Sequence, residues 1–310
     1  MATAQQWLSA ARPRTLAAAA APVLVGTAAA IGAVSVASTQ SRLALGAQRL
    51  THADFHLGRA LLALGIALAL QIGVNYANDY SDGIRGTDLD RKGPTRLTAS
   101  RAAKPKSVRN AAFTAFGVAA LLGLWLITIT GHWWLIAAGL AAIIAALFYT
   151  GGKRPYGYAG FGEVGVFAFF GLVATLGTTF TQLGRLNVMS ALGAIGVGLL
   201  ACAILMINNI RDIPTDILAG KKTLAVRLGD HRARLCYLMF LAGALLVGLI
   251  AAIWVAPLAW FVLLLAIPAW LLTIPVRIGA QGPLLIPVLA GTSALELAYA
   301  IILAIAFILA

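Results

Sequence analysis

Apolar residues in this chain come in long unbroken runs separated by short polar connections. Nine runs, 15–38, 59–78, 110–130, 133–150, 161–183, 187–208, 234–254, 258–275 and 284–308, carry almost no charge. Each is close to the ~20 residues that a helix needs to cross a bilayer. They predict an all-α polytopic membrane protein with nine transmembrane helices bundled around a central cavity. Gly and other small residues punctuate most runs, as expected where helix backbones approach closely in lipid. The first run follows Arg12 and Arg14 as a secretory signal would, but it is too long for one and reads as a retained helix. No soluble domain, heptad repeat or low-complexity linker interrupts the pattern, so 1–310 reads as a single transmembrane domain.

Composition strengthens this reading. Of 310 residues, 61% are hydrophobic and 11% charged, with a mean hydropathy of +0.90; soluble domains carry about a quarter charged residues. The 23 basic residues exceed the 10 acidic ones, which in a soluble protein would point to nucleic acid. Here 19 of the 23 lie at the N-terminus and after the second, fourth, sixth and eighth runs. That bias predicts an inner cell membrane protein with its N-terminus and the long polar stretches 79–109 and 209–233 cytoplasmic, in contact with lipid and not with nucleic acid. The stretch 39–58, with Arg42, Arg49, His52, Asp54 and His56, fits the bias least well. Cys202 and Cys236 have neither metal-ligand spacing nor a disulfide framework.

The acids are the most informative residues. Asp79, Asp82, Asp88 and Asp90 fall within twelve positions at the end of the second run, and Asp212 and Asp216 hold the matching place after the sixth. Asn75, Asp79 and Asp82 stand at i, i+4 and i+7, and Asn208, Asp212 and Asp216 at i, i+4 and i+8, so continued helix puts each set on one face. The clusters lead into Gly93-Pro94-Thr95-Arg96-Leu97 and Gly220-Lys221-Lys222-Thr223-Leu224, which look like divergent copies of one unit. Two carboxylates at ~4 Å repel by about 4 kcal/mol at an effective dielectric near 20, so Arg, Lys or a metal must offset them. Carboxylate and amide oxygens suit Mg²⁺, which completes its shell with water and phosphate oxygens. The pattern suggests a diphosphate held through Mg²⁺. Cation-coupled transporters also carry intramembrane acids and repeats, but in broken helices near the midplane; these acids sit at helix ends beside basic loops.

Asn78-Asp79-Tyr80-Ser81-Asp82 and Asp212-Ile213-Pro214-Thr215-Asp216 resemble the two aspartate motifs of the UbiA superfamily of intramembrane prenyltransferases. Many members have a third acid four residues after the second Asp, where this chain has Gly86, with Asp88 two further on. Gly86-Thr87-Asp88, Arg91-Lys92-Gly93-Pro94-Thr95-Arg96, Ala11-Arg12-Pro13-Arg14-Thr15-Leu16 and Tyr149-Thr150-Gly151-Gly152-Lys153-Arg154-Pro155 are similar to the subgroup acting on 1,4-dihydroxy-2-naphthoate in menaquinone biosynthesis. Relatives acting on 4-hydroxybenzoate, homogentisate or haem are the alternative.

The resemblance implies transfer of a polyprenyl group from its diphosphate to that naphthoate, with loss of CO₂ to give demethylmenaquinone. It implies two Mg²⁺ ions, one on Asp79 and Asp82 with Asp88, Asn75 and Asn78 in support, the other on Asp212 and Asp216 near Asn208 or Asn209. Lys153, Arg96 and Lys222 are the expected diphosphate partners. Arg12 and Arg14 are expected on the naphthoate carboxylate or a phosphate. Tyr149 is expected along the path of the allylic cation with Tyr76, Tyr80 and Tyr156. Glu163 reads as a helix-start acid favoured by the helix dipole.

Overall fold

The computed structural model describes residues 2–45, 56–87 and 96–310, and among these it contains helices and no strand. A short α1 (Ala4–Ala10) precedes α2 (Leu16–Leu45), α3 (Leu57–Arg85), α4 (Pro105–Thr130), α5 (Leu135–Thr150), α6 (Gly162–Leu183), α7 (Val188–Leu218), a short α8 (Leu224–Leu228), α9 (Asp230–Trp254), α10 (Pro257–Arg277) and α11 (Gly282–Ile308). Eight helices among the described residues are long and apolar enough to cross a membrane. The fourth expected crossing, α5, has 16 residues, about 24 Å of helix at 1.5 Å per residue against a hydrocarbon core of about 30 Å.

Three helices run past their expected ends. Helix α2 continues through 39–45, a stretch with no Gly or Pro, so part of the expected loop 39–58 is helical; 46–55 lie outside the described residues. Helix α3 runs seven residues beyond 78 and stops at Gly86, and α7 runs ten beyond 208, through Pro214. Nothing in Asp79–Arg85 breaks a helix once its polar side chains find partners. Both aspartate motifs are therefore helical, in the last turns of α3 and α7, and not in loops.

The helices form two packed groups. Most of the core lies among α2, α7, α9, α10 and α11 and is rich in alanine, with Tyr237, Tyr299, Phe307 and Met206 fully enclosed. A smaller cluster around Phe116 joins α3, α4 and α5. Outward positions such as Leu121, Trp125, Met239, Leu264 and Ile267 are exposed, as lipid-facing positions are in a bundle held by small-residue contacts. Between the groups lies a cavity of about 940 Å³, walled by α2 to α7 and α11. In α6, Phe167–Val173 is π-helical, and its Phe169, Phe170 and Val173 line that cavity.

Small residues set the helix spacing. A Cβ on Gly32 of α2 would lie 2.0 Å from the Phe307 carbonyl oxygen of α11, so these helices touch backbone to backbone. Gly32→Ala is expected to cost about 1–3 kcal/mol by overpacking. Gly139→Ala in α5, where a Cβ meets nothing within 4 Å, is expected to be neutral or stabilising by up to about 1 kcal/mol. Thermal unfolding of both variants in detergent, followed by tryptophan fluorescence, checks the contrast.

Candidate active site

The polar end of the cavity is built where Lys221 bridges the ends of α3 and α7. Lys221 Nζ lies 3.7 Å from Asp82 Oδ2 and 3.9 Å from Asp216 Oδ1, and the Lys221 side chain is 6% exposed. The two carboxylates are thus no further apart than the sum of those distances, with an ammonium near both. Lys221 is held there by a turn: Gly220 has φ +70, a left-handed value that suits glycine, and the Lys221 N–H donates to the Asp216 carbonyl at 2.8 Å.

The loop after α5 closes over this group. The Lys221 ammonium sits 4.7 Å from the centre of the Tyr158 ring, and the Arg85 guanidinium 5.4 Å from it. The Tyr158 hydroxyl donates to Asp82 Oδ1, and the Lys222 N–H donates to the Tyr158 carbonyl at 2.9 Å. Arg85 donates to the carbonyls of Thr150 and Gly152. Burial, and then the negative charge of Asp82, push the Tyr158 phenol above its ordinary value, so it stays a protonated donor. Burial pushes its neighbour Tyr156 up to about 12.

The two acids of each motif make different contacts. Asp79 is 1% exposed and does not line the cavity. Its Oδ2 accepts from the Leu97 N–H at 2.8 Å and its Oδ1 from the Thr98 N–H at 2.9 Å. At 100° per residue it stands about 60° round α3 from Asp82 and about 100° from Asn78, both of which line the cavity. Asp212 does not line the cavity either: Arg211, which does, donates to both its oxygens at 2.7 Å. The expected common face is therefore split, because neighbouring protein groups claim the first acid of each motif.

The other expected site residues fall into three groups. Asn75, Asn78, Arg96, Asn208, Asn209, Arg12 and Tyr149 line the cavity. Asn75 Nδ2 donates to the Ala11 carbonyl at 2.8 Å, drawing the N-terminal segment onto α3, and Asn78 Oδ1 accepts from the Thr150 hydroxyl at 2.8 Å. Asn209 Nδ2 donates to Glu163 Oε1 at 3.0 Å, so Glu163, expected only as a helix-start acid, orients a cavity-lining amide. Lys153 and Lys222 are exposed and do not line the cavity. Lys221 occupies the position expected of Lys222, because the Gly220 turn sets which of two adjacent lysines points inward. Asp88 and the side chain of Arg14 lie outside the described residues.

Arg211, Lys221, Tyr158 and Gln71 are not among the site residues expected from the sequence. Two of them carry a readable signal: Lys221 stands in the Gly220-Lys221-Lys222 element beside the expected lysine, and Gln71 is an amide one turn before Asn75 inside an apolar run. Among the described residues no three of His, Cys, Asp and Glu are grouped to hold a metal by themselves. Asp82, Asp216 and the asparagine amides offer hard oxygens without thiol or imidazole, a set that fits Mg²⁺ sharing its shell with phosphate and water.

Residues 43–284 match the UbiA prenyltransferase family. The chain is 49% identical over 306 residues to the 1,4-dihydroxy-2-naphthoate octaprenyltransferase of Mycobacterium tuberculosis, covering 98% of this chain and 97% of that one. It is 40% identical over 248 residues to the protein of the same name from Escherichia coli, covering 78% and 74%. A UbiA homologue from Aeropyrum pernix has a similar fold, with a TM-score of 0.62 at 16% identity over 93% of this chain and 97% of that one. So has a UbiA homologue from Archaeoglobus fulgidus bound to DMAPP and Mg²⁺, with a TM-score of 0.61 at 15% identity over 96% and 98%.

The division of labour within the first motif is testable without turnover. Asp79→Ala leaves two buried N–H groups without an acceptor, at about 1–3 kcal/mol each. Amide exchange at Leu97 and Thr98 is expected to rise about tenfold or more. Asp82→Ala is expected to leave exchange at those two amides unchanged. Hydrogen–deuterium exchange of the detergent-solubilised protein compares the two variants.

Proposed function

The chain belongs to the UbiA prenyltransferase family, and from that premise we propose that it transfers a polyprenyl group from its diphosphate to 1,4-dihydroxy-2-naphthoate, releasing CO₂ and diphosphate and giving the hydroquinone form of demethylmenaquinone, demethylmenaquinol. One geometric observation carries the reading: paired carboxylates and cations close one end of a cavity whose remaining walls are mostly apolar. A prenyl diphosphate has that same polarity, an anionic head on a hydrocarbon chain. The naphthoate acceptor is supported by relatives of that name aligned over almost the whole chain.

In the reaction, the bond between the prenyl C1 and the diphosphate oxygen breaks, and its electron pair leaves with the diphosphate. Lys221, Arg96 and Arg211 line the end of the cavity where that charge would grow, and preorganised cations there lower the barrier. Asp82 and Asp216, with Asn208 and Asn209, would hold Mg²⁺, two ions by the reading of the motifs, and bound Mg²⁺ neutralises diphosphate oxygens. Asp79 and Asp212 act as positioning residues, fixing the 97–98 turn and Arg211. The allylic cation is shielded from water by Leu70, Val74, Ile143, Phe169 and Leu205 until an electron pair of the electron-rich ring closes the new C–C bond. Loss of the carboxylate as CO₂ then restores the aromatic ring. By the bias of basic residues, the chain sits in the cell membrane as one unit over 1–310, with the N-terminus and this polar end cytoplasmic.

Purified protein with Mg²⁺ and a polyprenyl diphosphate is expected to convert 1,4-dihydroxy-2-naphthoate with stoichiometric CO₂. Conversion of 4-hydroxybenzoate or homogentisate in its place would move the chain to a sister activity. Asp82→Asn, Asp216→Asn and Lys221→Met are each expected to lower kcat by about 10²-fold or more. Lys222→Met is expected to stay near wild type, since its side chain faces away from the cavity.

A further inference from the structure

Gln71 lies on α3 one helical turn deeper into the bundle than Asn75, is 7% exposed and lines the cavity. Its Nε2 donates to Thr15 Oγ1 at 3.1 Å. The Thr15 hydroxyl donates to the Arg12 carbonyl at 2.9 Å and also lies 3.3 Å from Asn75 Nδ2, which donates to it. These bonds clamp the Arg12 turn, where φ is +56, onto α3. They also fix the Gln71 amide with its nitrogen toward Thr15. The carbonyl oxygen, Oε1, is buried and has no hydrogen-bond partner among the described residues.

A buried acceptor without a donor is costly and uncommon, and in a cavity wall it marks a place where a ligand donates. Of the cavity-lining neighbours on α3, Ala67, Leu70 and Val74 offer no side-chain donor, and the Asn75 amide donates to Ala11 and Thr15 instead. An ionised prenyl diphosphate offers none either: its head only accepts and its chain is hydrocarbon. The co-substrate in the proposed reaction is a hydroxylated arene, and a phenol donates. Resting on that reading, we infer that Gln71 Oε1 accepts a hydrogen bond from a ring hydroxyl of the aromatic acceptor and so helps set acceptor specificity. Arg12, whose backbone carbonyl accepts from the same Thr15, also lines the cavity, and a guanidinium in the wall suits an arene that also bears a carboxylate. The site thereby separates its substrates, diphosphate toward Lys221 and arene toward Gln71.

The test crosses the residue with the substituent it reads. Full-length wild type and Gln71→Met are each assayed with Mg²⁺ and a polyprenyl diphosphate. Two constants are measured: the Michaelis constant for the dihydroxynaphthoate acceptor, and the inhibition constant for 2-naphthoate, which keeps the carboxylate and lacks both hydroxyls. Gln71→Met is expected to raise the first about tenfold, while the second and the Michaelis constant for the prenyl diphosphate change by less than about twofold. Thr15→Val removes the acceptor of the Gln71 amide nitrogen and frees that amide to turn, so it is expected to raise the Michaelis constant for the dihydroxynaphthoate more than the inhibition constant for 2-naphthoate. Gln71→Glu keeps an acceptor oxygen and repels both carboxylates alike, so it is expected to retain the wild-type ratio, even should Gln71→Met fail to fold. Equal shifts of both constants in Gln71→Met, no shift in either, or loss of the ratio in Gln71→Glu would overturn the assignment. A wild type that turns over no hydroxynaphthoate overturns the underlying reading and this assignment with it, and does so before any variant is compared.

Discussion

Two carboxylates are brought together at the polar end of this bundle, and the ammonium of Lys221 is what lets them stay. Their oxygens stand no more than about 7.6 Å apart, where a pair of like charges at an effective dielectric near 20 costs about 2 kcal/mol or more, and a cation within 4 Å of both outweighs that. Two segments hold Lys221 there: the left-handed turn at Gly220, and Tyr158, whose ring lies beneath the ammonium and whose hydroxyl donates to Asp82. A buried ion pair is weak evidence of stability. Its contribution here is registry, since α3, α7, the 151–161 loop and the 219–223 turn can meet in one way if these charges are to be paired.

The two motifs repeat this arrangement in outline. In each, the first aspartate is consumed by the protein, Asp79 by the N–H groups of the 97–98 turn and Asp212 by Arg211. In each, the second faces Lys221. An acid spent on positioning fixes the loop that brings Arg96 to the cavity or the guanidinium that lines it. The other acid lines the cavity. The amides follow the same logic: Asn75 and Gln71 hold the N-terminal segment, while Glu163 orients Asn209.

Beneath the polar end, the helices separate just where packing would otherwise fill the space. Backbone contact through small residues draws α2 onto α11 and leaves α3, α4 and α5 as a second group. The cavity between them is mostly apolar because its walls are the inner faces of membrane helices, and such walls offer water few hydrogen-bond partners.

The helical class, the membrane setting, the family and the importance of both aspartate motifs are legible in the chain itself. Each rests on runs, spacings or residue types that hold whatever the packing: a 20-residue apolar run has few other options in water or lipid, and acids clustered at the ends of two apolar runs in a basic, greasy chain are costly without a purpose. Side-chain direction is different. Whether Asp79 or Asp82 faces the cavity, whether Lys221 or Lys222 turns inward, and that Lys153 points to solvent depend on which neighbours satisfy each group first. Those neighbours, Leu97, Thr98, Arg211 and Tyr158, are distant in sequence or carry no pattern of their own. Helical phase narrows such choices to within about 60°, and hydrogen bonds made across the fold settle the remainder.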